Sequence, residues 1–444
     1  MNRVHAELPS FDFEARRKRL FGLLGDGLMI LRAPSLARHA NDVEYRYRPN
    51  ADFFYLTGFT EPETVALFDG NATEEKFVLF VAPRDPEREA WTGPRAGVEG
   101  AMEWYGADAA YPLEELSSRL PTLIGKSKSL HYPLGSAPEF DPELMRLAAD
   151  GWARRPRSAA GAPASVLDPR PMIHEMRLFK SEAELAWMRA SATIAAEAHR
   201  EAMRATSPGL SEYEVEALIE YTFRRRGAEG WAYPSIVAGG ANATVLHYIA
   251  NTENLSDGDL LLIDAGCALG AYCSDITRTF PVGRNFSDAQ ARVYDLVLAA
   301  QKASLEQVRP GSTVERVHEA AVEVLADGLL TLGILDGTLR EVIDRSLYQP
   351  WYMHRTSHWL GMDVHDVGAY EIEKAPRPLE PGMVLTVEPG LYFSPATTGS
   401  PPEYQGIGIR IEDDVLVTEN GSEVLSSAVP KERDEMQELR AAAF

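Results

Sequence analysis

The sequence predicts a mixed α/β protein of two domains, the second of them internally duplicated. Three observations lead there. At 444 residues, 45% hydrophobic and 25% charged, the chain is long enough for two sizeable cores and has an ordinary globular balance. Its first ~170 residues mix short apolar runs of strand type with helical stretches. From Lys180 onward, a pattern of two capped helices followed by strand-like segments occurs twice.

In the first domain, Gly27 to Leu31, Phe53 to Leu56, Val65 to Phe68 and Phe77 to Ala82 read as strands, and helices are expected over 12–24 and 114–120. A loop rich in Arg, Pro, Ala and Gly runs from Arg154 to Ala164 and precedes Asp168-Pro-Arg-Pro. The boundary therefore falls near 170–178, giving domains 1–174 and 175–444. Ser181-Glu-Ala-Glu184 is a capping box, in which the hydroxyl accepts from the third helical amide while the glutamate reaches back to the cap amide. It opens a long helix that stops at Ser207-Pro-Gly, and Ser211-Glu-Tyr-Glu214 caps a second helix running through Arg226. Roughly 100 residues later the same order returns. Ser287-Asp-Ala-Gln290 opens a helix ending at Arg309-Pro-Gly, and Ser312-Thr-Val-Glu315 caps the next one toward Leu332. Asp264 and Asp275 are expected in the strands of the first half, and His358, Glu388 and Glu412 in those of the second. A site drawing on both sets lies at a pseudo-symmetric junction.

These five residues carry the chemistry. His358 belongs to a run from His354 to His365 that holds three histidines and is broken by Gly361. Four carboxylates and one imidazole are hard, oxygen-dominated ligands that need no cysteine, so they suit Mn²⁺ or Co²⁺ better than structural zinc. So many acids beside one histidine repel each other unless cations are bound. Two ions sharing bridging carboxylates hold a water between them and lower its pKa from about 15.7 toward about 7, which supplies hydroxide at neutral pH.

Other functions are excluded or disfavoured. A net charge of −22 opposes broad affinity for nucleic acid or anionic lipid. No apolar run reaches the ~20 residues of a membrane span and the start lacks a signal-peptide core, so a cytoplasmic protein is expected. Cys267 and Cys273 read as small buried residues rather than a disulfide. His5, His39, His131, His174, His199 and His318 read as ordinary core or surface groups, and neither His174-Glu175 nor His318-Glu319 extends to H-E-x-x-H. Asp413 and Asp414 read as turn or surface acids, because neighbouring strand positions point to opposite faces. Gly406-Ile-Gly408 lacks the third glycine of a dinucleotide site and reads as strand backbone closely approached by another group. Arg224-Arg-Arg226 favours the dipole at a helix end. No G-x-S-x-G elbow occurs, so covalent catalysis is disfavoured.

The duplicated plan, with Asp, Asp, His, Glu and Glu in that order, resembles the pita-bread metallopeptidases, which include methionine aminopeptidase, prolidase and aminopeptidase P. The resemblance covers nearly the whole chain. It rests on Ile263-Asp-Ala-Gly-Cys, on Tyr272 through Pro281, on the His354 to His365 run and on Gly406-Ile-Gly-Ile-Arg-Ile-Glu-Asp413. Asn41 through Gly58 looks like the amino-terminal, creatinase-like α/β domain of bacterial aminopeptidase P, which removes the first residue of peptides with proline second. Methionine aminopeptidases lack that domain.

The resemblance implies that Asp264 chelates one metal, that Asp275 and Glu412 bridge two, and that His358 and Glu388 complete the second. It implies two divalent ions, first Mn²⁺ with Co²⁺ or Zn²⁺ as alternatives, and peptides with an Xaa-Pro start as substrates. Hydroxide activated by both metals would attack the first carbonyl while Glu388 accepts its proton. His247 and His365 would bind substrate and stabilise the tetrahedral intermediate, His354 and Arg410 would line the proline side, and Trp91 would help gate the cleft. Residues two apart on a strand share a face, which independently sets Arg410 beside Glu412. Arg355 stands where many relatives have glycine and would alter the pocket wall. Prolidase, which accepts only dipeptides, is the nearest alternative, followed by a metal-free peptide-binding module. Homodimers or homotetramers are the implied assemblies.

Overall fold

The computed structural model describes residues 7–154 and 162–441. Among them residues 11–176 form one compact unit, and residues 177–441 with 7–10 form the other.

The first unit is built on a six-stranded mixed sheet. Its order is Ala109–Pro112, Phe77–Val81, Val65–Asp69, Leu28–Arg32, Ser129–His131 and Ser165–Leu167. The three central strands pair antiparallel and the outer ones add in parallel. Phe77–Val81 and Val65–Asp69 are buried along their whole length, as strands covered on both faces must be. On one face Ile30, Leu67 and Phe80 pack with Leu116, Leu120, Ile124 and Leu144.

One expected strand is a helix. Phe53 to Leu56 lies within Ala51–Thr57, because the Asn50 side chain accepts from the amides of Asp52 at 3.0 Å and Phe53 at 3.2 Å, while Gly58 closes the end at φ 66°. A cap and a left-handed glycine outweigh the strand preference of Phe-Phe-Tyr. The helix expected at 114–120 begins as a 3-10 turn, Leu113–Glu115, and continues as Leu116–Lys126. Of the loop expected at Arg154 to Ala164, residues 155–161 lie outside the described residues, as does His5.

The second unit carries the duplication. Helices Glu182–Ala205 and Glu212–Arg225 precede the antiparallel strands Ile236–Gly239, Leu260–Asp264 and Thr277–Pro281. Helices Asp288–Gln307 and Val314–Thr331 precede Val384–Val387, Asp413–Thr418 and Gly421–Val424, paired in the same manner. The Ser181 and Ser287 capping boxes form with both reciprocal hydrogen bonds. At the fourth helix the cap is Thr313 rather than Ser312: its side chain accepts from the Arg316 amide at 3.2 Å. Ser312 instead gives its carbonyl to the Leu379 amide, so it is already held outside the helix.

Candidate metal centre

The strands of the two halves meet through their breaks. Glu412 donates its amide to the Thr277 carbonyl at 3.0 Å, and the Asp275 amide donates to both oxygens of Asp414 at 3.1 and 3.2 Å. Of the five expected ligands, only Asp264 stands in a strand, as its last residue. Asp275 falls between Tyr272–Cys273 and Thr277–Pro281, Glu388 between Val384–Val387 and Gly390–Tyr392, and Glu412 between Gly408–Arg410 and Asp413–Thr418. His358 precedes a lone bridge from Trp359 to Leu385. The reason is geometric. A residue inside a ladder alternates sides, whereas one at a break can turn its side chain toward a common centre.

Within this junction Asp275, His358 and Glu412 each offer a ligand atom within 4.8 Å of the others. His358 Nε2 lies 3.4 Å from Asp275 Oδ2 and 3.5 Å from Glu388 Oε1. Its Nδ1 faces the Trp359 carbonyl at 3.0 Å, which leaves Nε2 for the centre. Asp264 is tied in by Arg410, whose Nη2 donates to Oδ2 at 2.6 Å. Thr277 Oγ1 donates to Glu412 Oε2 at 2.7 Å and receives Arg410 Nε at 3.1 Å, so Arg410 and Glu412 share a neighbour as strand alternation predicts.

The three remaining histidines surround this cluster. His354 Nε2 meets the Tyr392 hydroxyl at 2.9 Å, and that hydroxyl receives Arg410 Nη1 at 2.9 Å. His365 stands edge-on to His358 with ring centroids 4.5 Å apart. Its loop is anchored by the buried Asp366, which receives Lys180 at 3.1 Å and Arg177 at 2.5 Å. A side chain at Gly361 would sit 2.0 Å from Asp366 Oδ2, so this anchor requires glycine. His247 is exposed, on a loop between Ile236–Gly239 and Leu260–Asp264. Trp91 belongs to the amino-terminal unit, on helix Pro86–Thr92, and is 90% exposed. Arg355 pairs with Glu315 at 2.9 Å at the surface.

Two sequence readings are corrected here. Asp413 and Asp414 are buried, at 0% and 1% exposure. Both faces of this strand are covered, so alternation sends neither acid to solvent. Asp413 is satisfied by Arg278, Lys431, Gln301 and Ser426, and Asp414 orients Asp275. Gly408 behaves as expected: a Cβ there would lie 2.1 Å from the Ala243 carbonyl oxygen.

Sequence reasoning missed Tyr233, Thr277 and Tyr392. The Tyr233 hydroxyl reaches Asp264 Oδ1 at 2.6 Å and Asp275 Oδ1 at 2.5 Å. Nothing in its Trp-Ala-Tyr-Pro context signals this. Thr277 was accessible to reasoning, since it lies two residues beyond Asp275.

Charge balance decides whether these residues suit a cation. Four carboxylates stand against Arg410 and His358. Burial and the neighbouring Asp275 push Glu412 well above its ordinary range, and burial raises Glu388 to about 7. Burial also raises Asp264, against the pull of Arg410. Although burial disfavours a charged imidazole, the hydrogen bond to Asp275 and the charge of Glu388 lift His358 to about 9. Asp275 ends below its usual range, because His358 overcomes the effect of its burial. A proton on His358 thus does what a bound cation does better, neutralising several acids at once. The hard donor set and this excess negative charge fit divalent metal.

His199 supplies a test at a residue that is not itself a proposed ligand. Its ring is fully buried, Nε2 faces the Ala265 carbonyl at 2.9 Å, and burial lowers its pKa to about 4. Unfolded, it titrates near about 6.5, so the unfolded chain binds the extra proton between these values. Its contribution to stability is complete above about pH 6.5 and is lost progressively toward pH 4, a change of about 3 kcal/mol. His199→Gln should flatten the acid limb of urea-unfolding stability over that window. An unchanged slope would contradict the assignment.

Comparison with known proteins gives consistent matches across the chain. The model for Metallopeptidase family M24 matches residues 186–419, and that for Aminopeptidase P, N-terminal domain, matches residues 13–132. The Xaa-Pro aminopeptidase of Escherichia coli (strain K12) is 43% identical over 441 residues, covering 99% of each chain. The solved aminopeptidase PepP of Pseudomonas aeruginosa is 45% identical with a TM-score of 0.95, covering 98% of this chain and 99% of that one. Aminopeptidase P from E. coli, solved with the inhibitor Pro-Leu, is 41% identical with a TM-score of 0.92, over 97% and 98% of the two chains.

Proposed function

Because this chain belongs to metallopeptidase family M24, we infer that it is an Xaa-Pro aminopeptidase, releasing the first residue from peptides with proline at position two. The observation that carries the inference is the convergence of Asp275, His358 and Glu412, with Glu388 3.5 Å from His358, beside the His354, Tyr392 and Arg410 chain.

Asp264, Asp275, His358, Glu388 and Glu412 would hold two divalent ions, of which Mn²⁺ suits the donors first and Co²⁺ or Zn²⁺ next. Bound there, the metals supply Lewis acidity toward water and the scissile carbonyl. The chain's own groups do the rest. Glu388, beside His358 at 3.5 Å, would take the proton of the attacking water and return it to the departing proline nitrogen. His247 and His365 bind the substrate carbonyl and the oxyanion that develops from it. His354 is kept neutral by burial and by Arg410, its pKa lowered to about 3, so it presents an uncharged ring to the proline side. Arg410 fixes that ring through Tyr392.

Among the described residues no helix is long and apolar enough to cross a membrane. Cys267 and Cys273 are both buried, as small apolar residues are, and the cytoplasm is the reading carried here. Assembly as a dimer or tetramer belongs to the same reading and is checked by sedimentation.

The test is a cleavage panel run on the metal-loaded protein, on protein stripped by chelator, and after Mn²⁺ is restored. Xaa-Pro-Xaa peptides should be cut, stripping should remove nearly all turnover, and Mn²⁺ should return it. Cleavage of Xaa-Pro dipeptides alone would mean a prolidase. Absence of cleavage together with absence of metal by elemental analysis would mean a binding module.

A further inference from the structure

Glu212 is the first residue of helix Glu212–Arg225, and its position alone suggests an acid favouring a helix dipole. Its surroundings say otherwise. The residue is fully buried, and its two oxygens divide their work between the two legs of the loop that carries His247. Oε1 accepts from the Gly239 amide at 2.8 Å and from Asn242 Nδ2 at 3.0 Å, both ahead of His247. Oε2 accepts from the Tyr248 hydroxyl at 2.8 Å and the Glu253 amide at 2.9 Å, both behind it. The Glu212 amide completes the arrangement by donating to the Glu253 carbonyl at 2.9 Å.

Neighbouring asparagines reinforce the same closure. Asn251, itself buried and at φ 47°, accepts from the Val237 amide at 3.0 Å and donates to the Ser235 carbonyl at 2.8 Å. Asn254 accepts from the Ser211 hydroxyl at 3.1 Å. The loop therefore has a fixed base and an exposed tip. His247 sits at that tip, near enough to His354 and His365 to act on both electrostatically. A carboxylate is suited to this base because it accepts on both oxygens, whereas an amide offers one acceptor and puts a donor where the second is needed.

We propose that Glu212 is a positioning residue for substrate binding: one buried carboxylate clamps both legs of the 239–253 loop and thereby fixes His247 against the scissile peptide. The proposal rests on the aminopeptidase reading, which assigns His247 to the substrate. It concerns a residue that touches neither metal ligand nor peptide.

Glu212→Gln is isosteric and breaks one leg of the clamp. It should lower kcat/KM on the order of tenfold or more, through misplacement of a substrate-binding group, with metal content unchanged. In a His247→Ala background the same substitution should cause no further loss, because the group it positions is gone. Equal losses in both backgrounds, or wild-type kcat/KM in the single variant, would overturn the proposal. Should Glu212→Gln fail to fold, Tyr248→Phe removes a single hydrogen bond and should show a smaller loss with the same dependence on His247. Hydrogen exchange reads the clamp without turnover. The amides of Gly239 and Glu253 should exchange faster in Glu212→Gln while those of Leu260–Asp264 do not, and unchanged exchange refutes the clamp. If the wild-type protein cuts no Xaa-Pro peptide, the functional reading fails, and the exchange result still decides the clamp.

Discussion

Asn in place of Asp275 is expected to abolish turnover while leaving the fold intact. Asp275 stands at the middle of the junction: one oxygen faces His358 Nε2 at 3.4 Å, the other accepts from Tyr233 at 2.5 Å, and the backbone amide is held by Asp414. Asparagine keeps the shape but loses the charge and one acceptor, so the residue proposed to bridge two cations would no longer serve as one. A fall in kcat/KM on the order of 10³-fold or more is expected, with reduced metal content. In metal-free protein the variant should also be less stable: His358 holds the Asp275 carboxylate below its usual range, so that charge favours the folded state and its removal breaks the ion pair. The thermal midpoint of the stripped variant should fall below that of stripped wild type. A variant that keeps both its metal and its turnover would exclude Asp275 from the centre.

Arg278→Met is expected to produce the largest loss of stability. Arg278 is completely buried beside the site. It donates to Asp413 Oδ1 at 2.7 Å, to the carbonyls of Glu412 at 2.6 Å and Thr277 at 2.9 Å, and to those of Val429 at 3.0 Å and Pro430 at 3.2 Å. Methionine fills much of the volume and satisfies none of these acceptors. Lys431 remains as a partner of Asp413, but four buried carbonyls lose a donor. A cost of about 3–5 kcal/mol follows from breaking a buried ion pair on one side only. Denaturant unfolding of the second unit measures it. Substituting Asp413→Leu as well should not recover the loss, since Lys431 then loses its carboxylate partner and Gln301 and Ser426 lose their acceptor. A single-variant cost below about 1 kcal/mol would show that solvent reaches the site. Because the Arg278 guanidinium also grips the Glu412 carbonyl, metal affinity should fall in parallel.

Much of the fold was legible because local rules and tertiary packing agree. Ser181 and Ser287 open helices for the stated reason, a reciprocal cap, and the repeat of that signal marks the duplication before any strand is assigned. Where two local signals compete, the sequence misleads. Phe53 to Leu56 carries strand-forming aromatics, and the Asn50 cap with Gly58 turns it into a helix. Ser312 and Thr313 are both capping residues, and the choice between them depends on Leu379, far away in the chain.

The candidate site divides along the same line. Residue types and their order were enough to point to Asp264, Asp275, His358, Glu388 and Glu412, because so many hard ligands in one pattern have few other physical explanations. Which atoms face one another was decided only by the tertiary structure. Tyr233 bridges two aspartates that follow it by 31 and 42 residues. Asp413 and Asp414 are buried because both faces of their strand are covered, and Glu212 holds a loop its own helix never reaches in sequence. Local propensity acts over a few residues, whereas burial and hydrogen-bond satisfaction depend on segments brought together by the whole chain. Only their final arrangement determines which polar groups water can no longer serve.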